Sequence, residues 1–123
     1  MPKRVLIVDD RDDLRAFLVD ALVSTKADLE IVQAADGEQA LRAVAEGGVD
    51  LVITDLDMPV MNGVELIRRL RATPPVPPIV VISGASVDWI AGETAHELAD
   101  LPMLRKPIAL SELLATVMAL LAL

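Results

Sequence analysis

The feature that most constrains this chain is a regular switch in the spacing of its apolar residues. Val5-Leu6-Ile7-Val8 is an unbroken apolar run, rich in β-branched residues and closed by Asp9 and Asp10. Such a run reads as a strand buried on both faces. Leu14, Phe17, Leu18, Ala21 and Leu22 then recur at the spacing of one helix face. The alternation repeats. Leu29 to Ala34 is a second strand, and Asp36 with Gln39 has capping-box spacing before a helix that turns Ala40, Leu41 and Val44 inward. Leu51-Val52-Ile53-Thr54 is a third strand ended by Asp55, and Asn62 with Glu65 opens the next helix, with Leu66, Ile67 and Leu70 inward. Ile79-Val80-Val81-Ile82, ended by Ser83-Gly84, is a fourth strand. A weaker helix is expected from Val87 to Ala99, then a short strand Met103-Leu104-Arg105 and a last helix capped by Ser111. Five strands alternating with five helices imply an α/β fold with a parallel sheet covered on both faces. The segment Pro74-Pro75-Val76-Pro77-Pro78 fits neither helix interior nor central strand and reads as a stiff connector.

Length and composition narrow the class further. The 123 residues are expected to form one domain, 1–123, with no room for a second. Hydrophobic residues make up 54%, enough for a core, and only Phe17 and Trp89 are aromatic, so that core is aliphatic. With 19 acidic and 11 basic side chains the net charge is −8, which speaks against binding nucleic acid. The absence of cysteine excludes disulfides, thiolate metal sites and cysteine nucleophiles, and suits a reducing compartment. No signal peptide is legible before Asp9, and the nearly apolar run Leu113 to Leu123 is too short to span a bilayer. A soluble cytoplasmic domain without membrane contact is therefore expected.

Ligands of an open parallel sheet bind at the carboxyl ends of its strands, near the point where strand order reverses. Here the first strand ends in Asp9 and Asp10, the third in Asp55 with Asp57 nearby, the fourth in Ser83 and the fifth in Lys106. Crowded carboxylates repel one another unless a cation sits among them. Their oxygens suit a hard divalent ion such as Mg²⁺, which takes one or two carboxylates, waters and a phosphate oxygen. A lysine and a small hydroxyl opposite them supply donors for phosphoryl oxygens. An aspartate between metal and lysine can attack phosphorus and form an acyl phosphate.

Asp9-Asp10, Asp55 followed by Met58-Pro59 and Asn62-Gly63, Ser83-Gly84 and Lys106-Pro107 together resemble the signature of receiver domains of two-component response regulators. The resemblance covers essentially the whole chain and implies a flavodoxin-like, doubly wound (βα)5 fold with strand order 2-1-3-4-5. It implies that Asp55 takes a phosphoryl group from a histidine kinase or a histidine phosphotransfer protein, in a Mg²⁺-dependent reaction with Mn²⁺ as the alternative ion. Asp10 and Asp55 would ligate the metal through side chains, Asp57 through its backbone carbonyl and Asp9 through water. Lys106 would pair with the phosphoryl group and Ser83 would hydrogen-bond it. The Lys106-Pro107 peptide is expected to be cis. A domain of this kind is not a turnover enzyme: it promotes its own phosphorylation and dephosphorylation, and signals to a downstream protein through a change of surface.

Other polar residues have plainer readings. Asp12 and Asp13 fall in the first turn of a helix, and Arg68, Arg69 and Arg71 end another, placements that suit the helix dipole. Gly63 is expected to permit a tight turn and Gly84 to leave room beside the phosphoryl group. His96 reads as an ordinary helix residue. Three departures from the family pattern stand out. Met103 occupies a position where many receivers carry the aromatic half of a switch, so a conformational change is expected to register in Ser83, Met103 and Trp89. Asp57 lies two residues after the acceptor, where its side chain could tune phosphoryl lifetime. The last helix is apolar nearly all round, which suggests an interface, a homodimer included.

Two enzyme-like or carrier alternatives share some of these residues. Asp55-Leu56-Asp57 resembles the nucleophile motif of haloacid-dehalogenase-type phosphohydrolases, although those carry it on the first strand. A flavin carrier on the same fold would set four acids against the flavin phosphate. An unphosphorylated scaffold would have no need of Asp55, Ser83 and Lys106 together.

Overall fold

The computed structural model describes residues 2–58, 60–84 and 93–122. Its elements alternate as β1 (Lys3–Val8), α1 (Asp12–Val23), β2 (Leu29–Ala34), α2 (Gly37–Ala45), β3 (Leu51–Asp55), α3 (Gly63–Ala72), β4 (Ile79–Ser83), α4 (Glu93–Leu98), β5 (Met103–Arg105) and α5 (Leu110–Leu121). The five strands are parallel and lie in the order 2-1-3-4-5, as expected of the doubly wound fold. Order reverses between β1 and β3, whose register runs Val5 against Leu51 through Val8 against Thr54. Asp9 and Asp55 therefore leave neighbouring strands at the same edge.

The continuous apolar runs fill two cores because side chains alternate across the sheet. Leu6, Val8, Val52 and Val81 join Leu66, Ile67 and Leu70 of α3, Ala40 of α2 and Leu98 of α4 on one face. Val5, Ile7, Ile53, Val80 and Ile82 join Leu18 and Leu22 of α1 and Leu113, Val117 and Leu121 of α5 on the other. Among the described residues no helix is long and apolar enough to cross a membrane.

Several local expectations are met. Asp36 accepts a hydrogen bond from the Gln39 N–H at 2.9 Å, and Asn62 accepts one from the Glu65 N–H at 3.0 Å. Each satisfies a donor that a helix start leaves unpaired. Gln39 departs from a full capping box, since its Oε1 accepts from the Ala35 N–H, one residue before the cap. Lys106-Pro107 is cis, and so is Pro74-Pro75.

Three expectations need correcting. Phe17 is 41% exposed rather than inward. At 3.6 residues per turn it lies about 100° round the helix from the buried Leu18, at the edge of the stripe that meets the sheet. Ser111 does not cap α5: the helix begins at Leu110, two residues earlier than a Ser111 cap implies, with Ala109 at the cap position and no side chain bonded there. Arg68 and Arg71 do more than complement a dipole. Arg68 grips the Glu97 carboxylate of α4 with two bonds of 2.8 and 3.0 Å, while Arg71 reaches the Glu97 carbonyl and Asp100. Arg69 stays within its own helix, paired with Glu65. The side of α5 turned from the sheet carries Leu110, Ala115 and Ala119 beside the polar Ser111 and Glu112. Of the expected fourth helix, residues 93–98 are helical, and Val87 and Trp89 lie outside the described residues.

Candidate functional site

Asp55 is the last residue of β3, 2% exposed, beside β1 where strand order reverses. Both of its carboxylate oxygens are held. Oδ1 accepts the Asp57 N–H at 3.1 Å, and Oδ2 accepts the Lys106 Nζ at 2.9 Å. Lys106 comes within reach because its N–H extends the β4–β5 ladder, donating to the Ser83 carbonyl at 2.8 Å. The same ladder sets Ser83 beside it. Ser83 is buried, and its Oγ has no hydrogen-bond partner among the described residues.

On the other side of Asp55 stand the acids of the β1–α1 loop. Carboxylate oxygens of Asp9, Asp10 and Asp55 all lie within 4.8 Å of one another, with Asp9 and Asp55 buried and Asp10 exposed. The Asp9 N–H continues β1 onto the Ala34 carbonyl, and Asp9 Oδ1 accepts the Arg11 N–H at 2.8 Å. Asp9 Oδ2 is buried without a partner. Burial lifts the Asp9 carboxyl to about 6, and repulsion from Asp55 and Asp10 adds to the rise. The Arg11 N–H and the Lys106 charge oppose it. Three clustered carboxylates, one with an orphaned oxygen, form a donor set of hard oxygens that fits a divalent cation such as Mg²⁺.

Asp57 is exposed, and its carboxylate does not belong to that cluster. Its backbone N–H is the part that touches Asp55. Met103 lies half-buried on β5 against the α3–α4 face, and Trp89 lies outside the described residues. His96 is exposed on α4.

Gly63 earns its place differently from the turn expected of it. Its φ is not in the left-handed region, yet a Cβ there would sit 2.3 Å from the Asp55 carbonyl oxygen and 2.7 Å from Leu56 Cα. The start of α3 packs against the backbone of Asp55 and Leu56, and the Gly63 N–H donates to the Leu56 carbonyl at 2.9 Å. Among the described residues, a Cβ at Gly84 would meet Lys106 Cδ at an ordinary 3.8 Å.

One residue that touches this site escaped sequence reasoning. Arg15 of α1 donates from Nη1 to the Asp9 carbonyl at 2.6 Å. Its position is half-polar on a helix, and the sequence offers no signal that separates it from an ordinary surface arginine.

Known proteins share the sequence pattern and the fold. Residues 5–118 match the response regulator receiver domain family. The transcriptional regulatory protein PrrA of Mycobacterium bovis is 41% identical over 120 residues, 96% of this chain and 49% of PrrA. The response regulator MprA of Mycolicibacterium vanbaalenii is 38% identical over 123 residues, 98% of this chain and 51% of MprA. The chain thus spans about half the length of these curated relatives. A response regulator receiver protein from Pseudomonas putida superposes with a TM-score of 0.81 at 33% identity, covering 95% of this chain and 96% of that one. The chemotaxis response regulator CheY4 of Vibrio cholerae gives 0.82 at 26% identity, covering 98% and 99%.

Proposed function

This chain belongs to the family of response regulator receiver domains, and on that footing we propose that Asp55 accepts a phosphoryl group from a phosphohistidine. The donor is a sensor histidine kinase or a histidine phosphotransfer protein. The observation that carries this reading is the pairing of a buried aspartate with Lys106 on one side and two further carboxylates on the other.

A carboxylate oxygen of Asp55 attacks phosphorus. The O–P bond forms as the P–N bond breaks, and the leaving imidazole nitrogen keeps the bonding pair. Asp10 and Asp55 would hold Mg²⁺, or Mn²⁺ in its place, through carboxylates, Asp57 through its backbone carbonyl and Asp9 through water. The ion supplies positive charge that offsets the repulsion between the carboxylates and the incoming phosphoryl oxygens. Lys106 holds Asp55 Oδ2 before reaction and becomes a donor to a phosphoryl oxygen after it. Ser83 Oγ, unpartnered among the described residues, is the second donor.

New contacts from Ser83 and Lys106 favour one arrangement of the segment after β4, a population shift that a downstream protein reads. Met103 has no ring to turn inward, so Ser83 and the segment bearing Trp89 carry that shift. The half-exposed Leu110 and the outward Ala115 and Ala119 of α5 offer room for a second copy or a downstream protein.

Stoichiometric modification, not turnover, is the expected behaviour. In the hydrolase alternative Asp57 would be the acid/base, and its carboxylate lies outside the acid cluster. Incubation with acetyl phosphate and Mg²⁺ should add one phosphoryl group by intact mass, and Asp55→Asn should add none. Steady release of phosphate from phosphomonoesters would instead support the hydrolase.

A further inference from the structure

Arg15 is mostly buried and ties three pieces of the molecule together. Its Nη1 donates to the Asp9 carbonyl at 2.6 Å, its Nε donates to Gln33 Oε1 of β2 at 3.3 Å, and its Nη2 pairs with Asp12 in the first turn of α1. We propose that Arg15 is a positioning residue for the divalent-cation site: its guanidinium fixes the Asp9–Asp10 peptide and so aims the Asp10 carboxylate. The proposal rests on the metal reading given above.

The carbonyl that Arg15 holds belongs to the peptide unit joining Asp9 to Asp10. That unit is planar, so fixing its oxygen fixes the direction in which the chain enters Asp10. On the Asp9 side the backbone is already anchored, by its N–H to Ala34 and by the Arg11 N–H to its carboxylate. Asp10 has no such help. Its side chain is exposed and accepts no hydrogen bond among the described residues, yet its carboxylate lies within the cluster. Its aim is therefore inherited from the backbone, and among the described residues the one side chain gripping that backbone is Arg15. A planar guanidinium bonds β2, the carbonyl and α1 from three separate nitrogens in a fixed fork, a spread that the single nitrogen of an ammonium does not reproduce.

A charge argument alone gives the opposite expectation. A permanent cation close to the acid cluster repels Mg²⁺, so removing it should tighten binding. The two accounts thus differ in sign.

Calorimetric titration of the full chain with MgCl₂ alone separates them. Arg15→Gln and Arg15→Lys should each weaken Mg²⁺ binding by roughly tenfold to a hundredfold, the usual effect of losing a group that orients a metal ligand. The Asp10 amide resonance of the metal-free variants should shift while those of Ser83 and Lys106 stay. Should Arg15→Gln not fold, Arg15→Lys keeps the charge and stem and decides alone. Wild-type or tighter affinity in a folded variant would overturn the proposal. Asp10→Asn serves as the control for the metal reading. If wild type binds and Asp10→Asn does not, unchanged Arg15 variants sink the positioning role only. If wild type binds no Mg²⁺, the metal reading fails and the positioning role fails with it.

Discussion

Asp9 carries a charge in a place that penalises it. Burial raises its carboxyl from the ordinary 3.8 to about 6, so the folded protein holds that proton more tightly than the unfolded chain. Between those values the native state binds more protons, and this group's contribution to stability falls as pH rises from about 4 to 6. Asp9→Asn is therefore expected to raise the melting temperature of the metal-free protein at pH 7.5. The gain is on the order of 1 kcal/mol, because water at the rim of the cleft screens part of the effect. Added Mg²⁺ should stabilise wild type more than the variant; equal responses would remove Asp9 from the metal site. Val60, in the acceptor loop, has φ of 68°, costly for a β-branched residue, and its side chain is 78% exposed. Val60→Gly should stabilise by about 1 kcal/mol in chemical denaturation, strain relief exceeding the entropy cost of glycine. Gly63→Ala should cost about 1–3 kcal/mol, since the added methyl meets the Asp55 carbonyl.

At the scale of elements, α4 is a six-residue helix attached to α3 by arginines. The Arg68 guanidinium holds the Glu97 carboxyl below the usual carboxylate range. A depressed value means the pairing is complete at neutral pH and is lost as pH falls through the lowered value. Exposed pairs add little global stability, so Glu97→Gln should leave the melting temperature nearly unchanged. Amide exchange over residues 94–98 should speed up; unchanged exchange would show that apolar contacts of Leu98 hold the helix alone. Strands β1, β3 and β4 were legible because each centres on an apolar run that a polar residue ends, whereas β2 carries Glu30 and Gln33 and ends in Ala34; the strand ends pointed to Asp55, Ser83 and Lys106 together. Helix details were less legible. Phe17 fits an amphipathic template yet sits at the stripe's edge, and Ser111 has the chemistry of a cap but not the position. The reach of Arg68 to Glu97 and of Arg15 to Asp9 depends on how elements pack, which periodicity within one element does not encode.

For the molecule as a whole, the excess of acids has a partial location. Of 19 acidic residues, Asp9, Asp10 and Asp55 converge at one edge of the sheet, and Asp57 borders them without joining the cluster. The family match over residues 5–118 accounts for nearly the whole chain, and relatives such as PrrA are about twice as long. What the chain itself supplies is a buried aspartate paired with a lysine, a serine hydroxyl without a partner among the described residues, and three clustered carboxylates. The central claim is that Asp55 becomes an acyl phosphate only with a divalent ion in that place. Its most direct measurement is borohydride trapping after incubation with acetyl phosphate, followed by peptide mass mapping. Reduction to homoserine at position 55, dependent on Mg²⁺ and abolished by chelator, is the expected result. Homoserine at Asp9, Asp10 or Asp57 instead, or equal labelling without divalent ion, would contradict it.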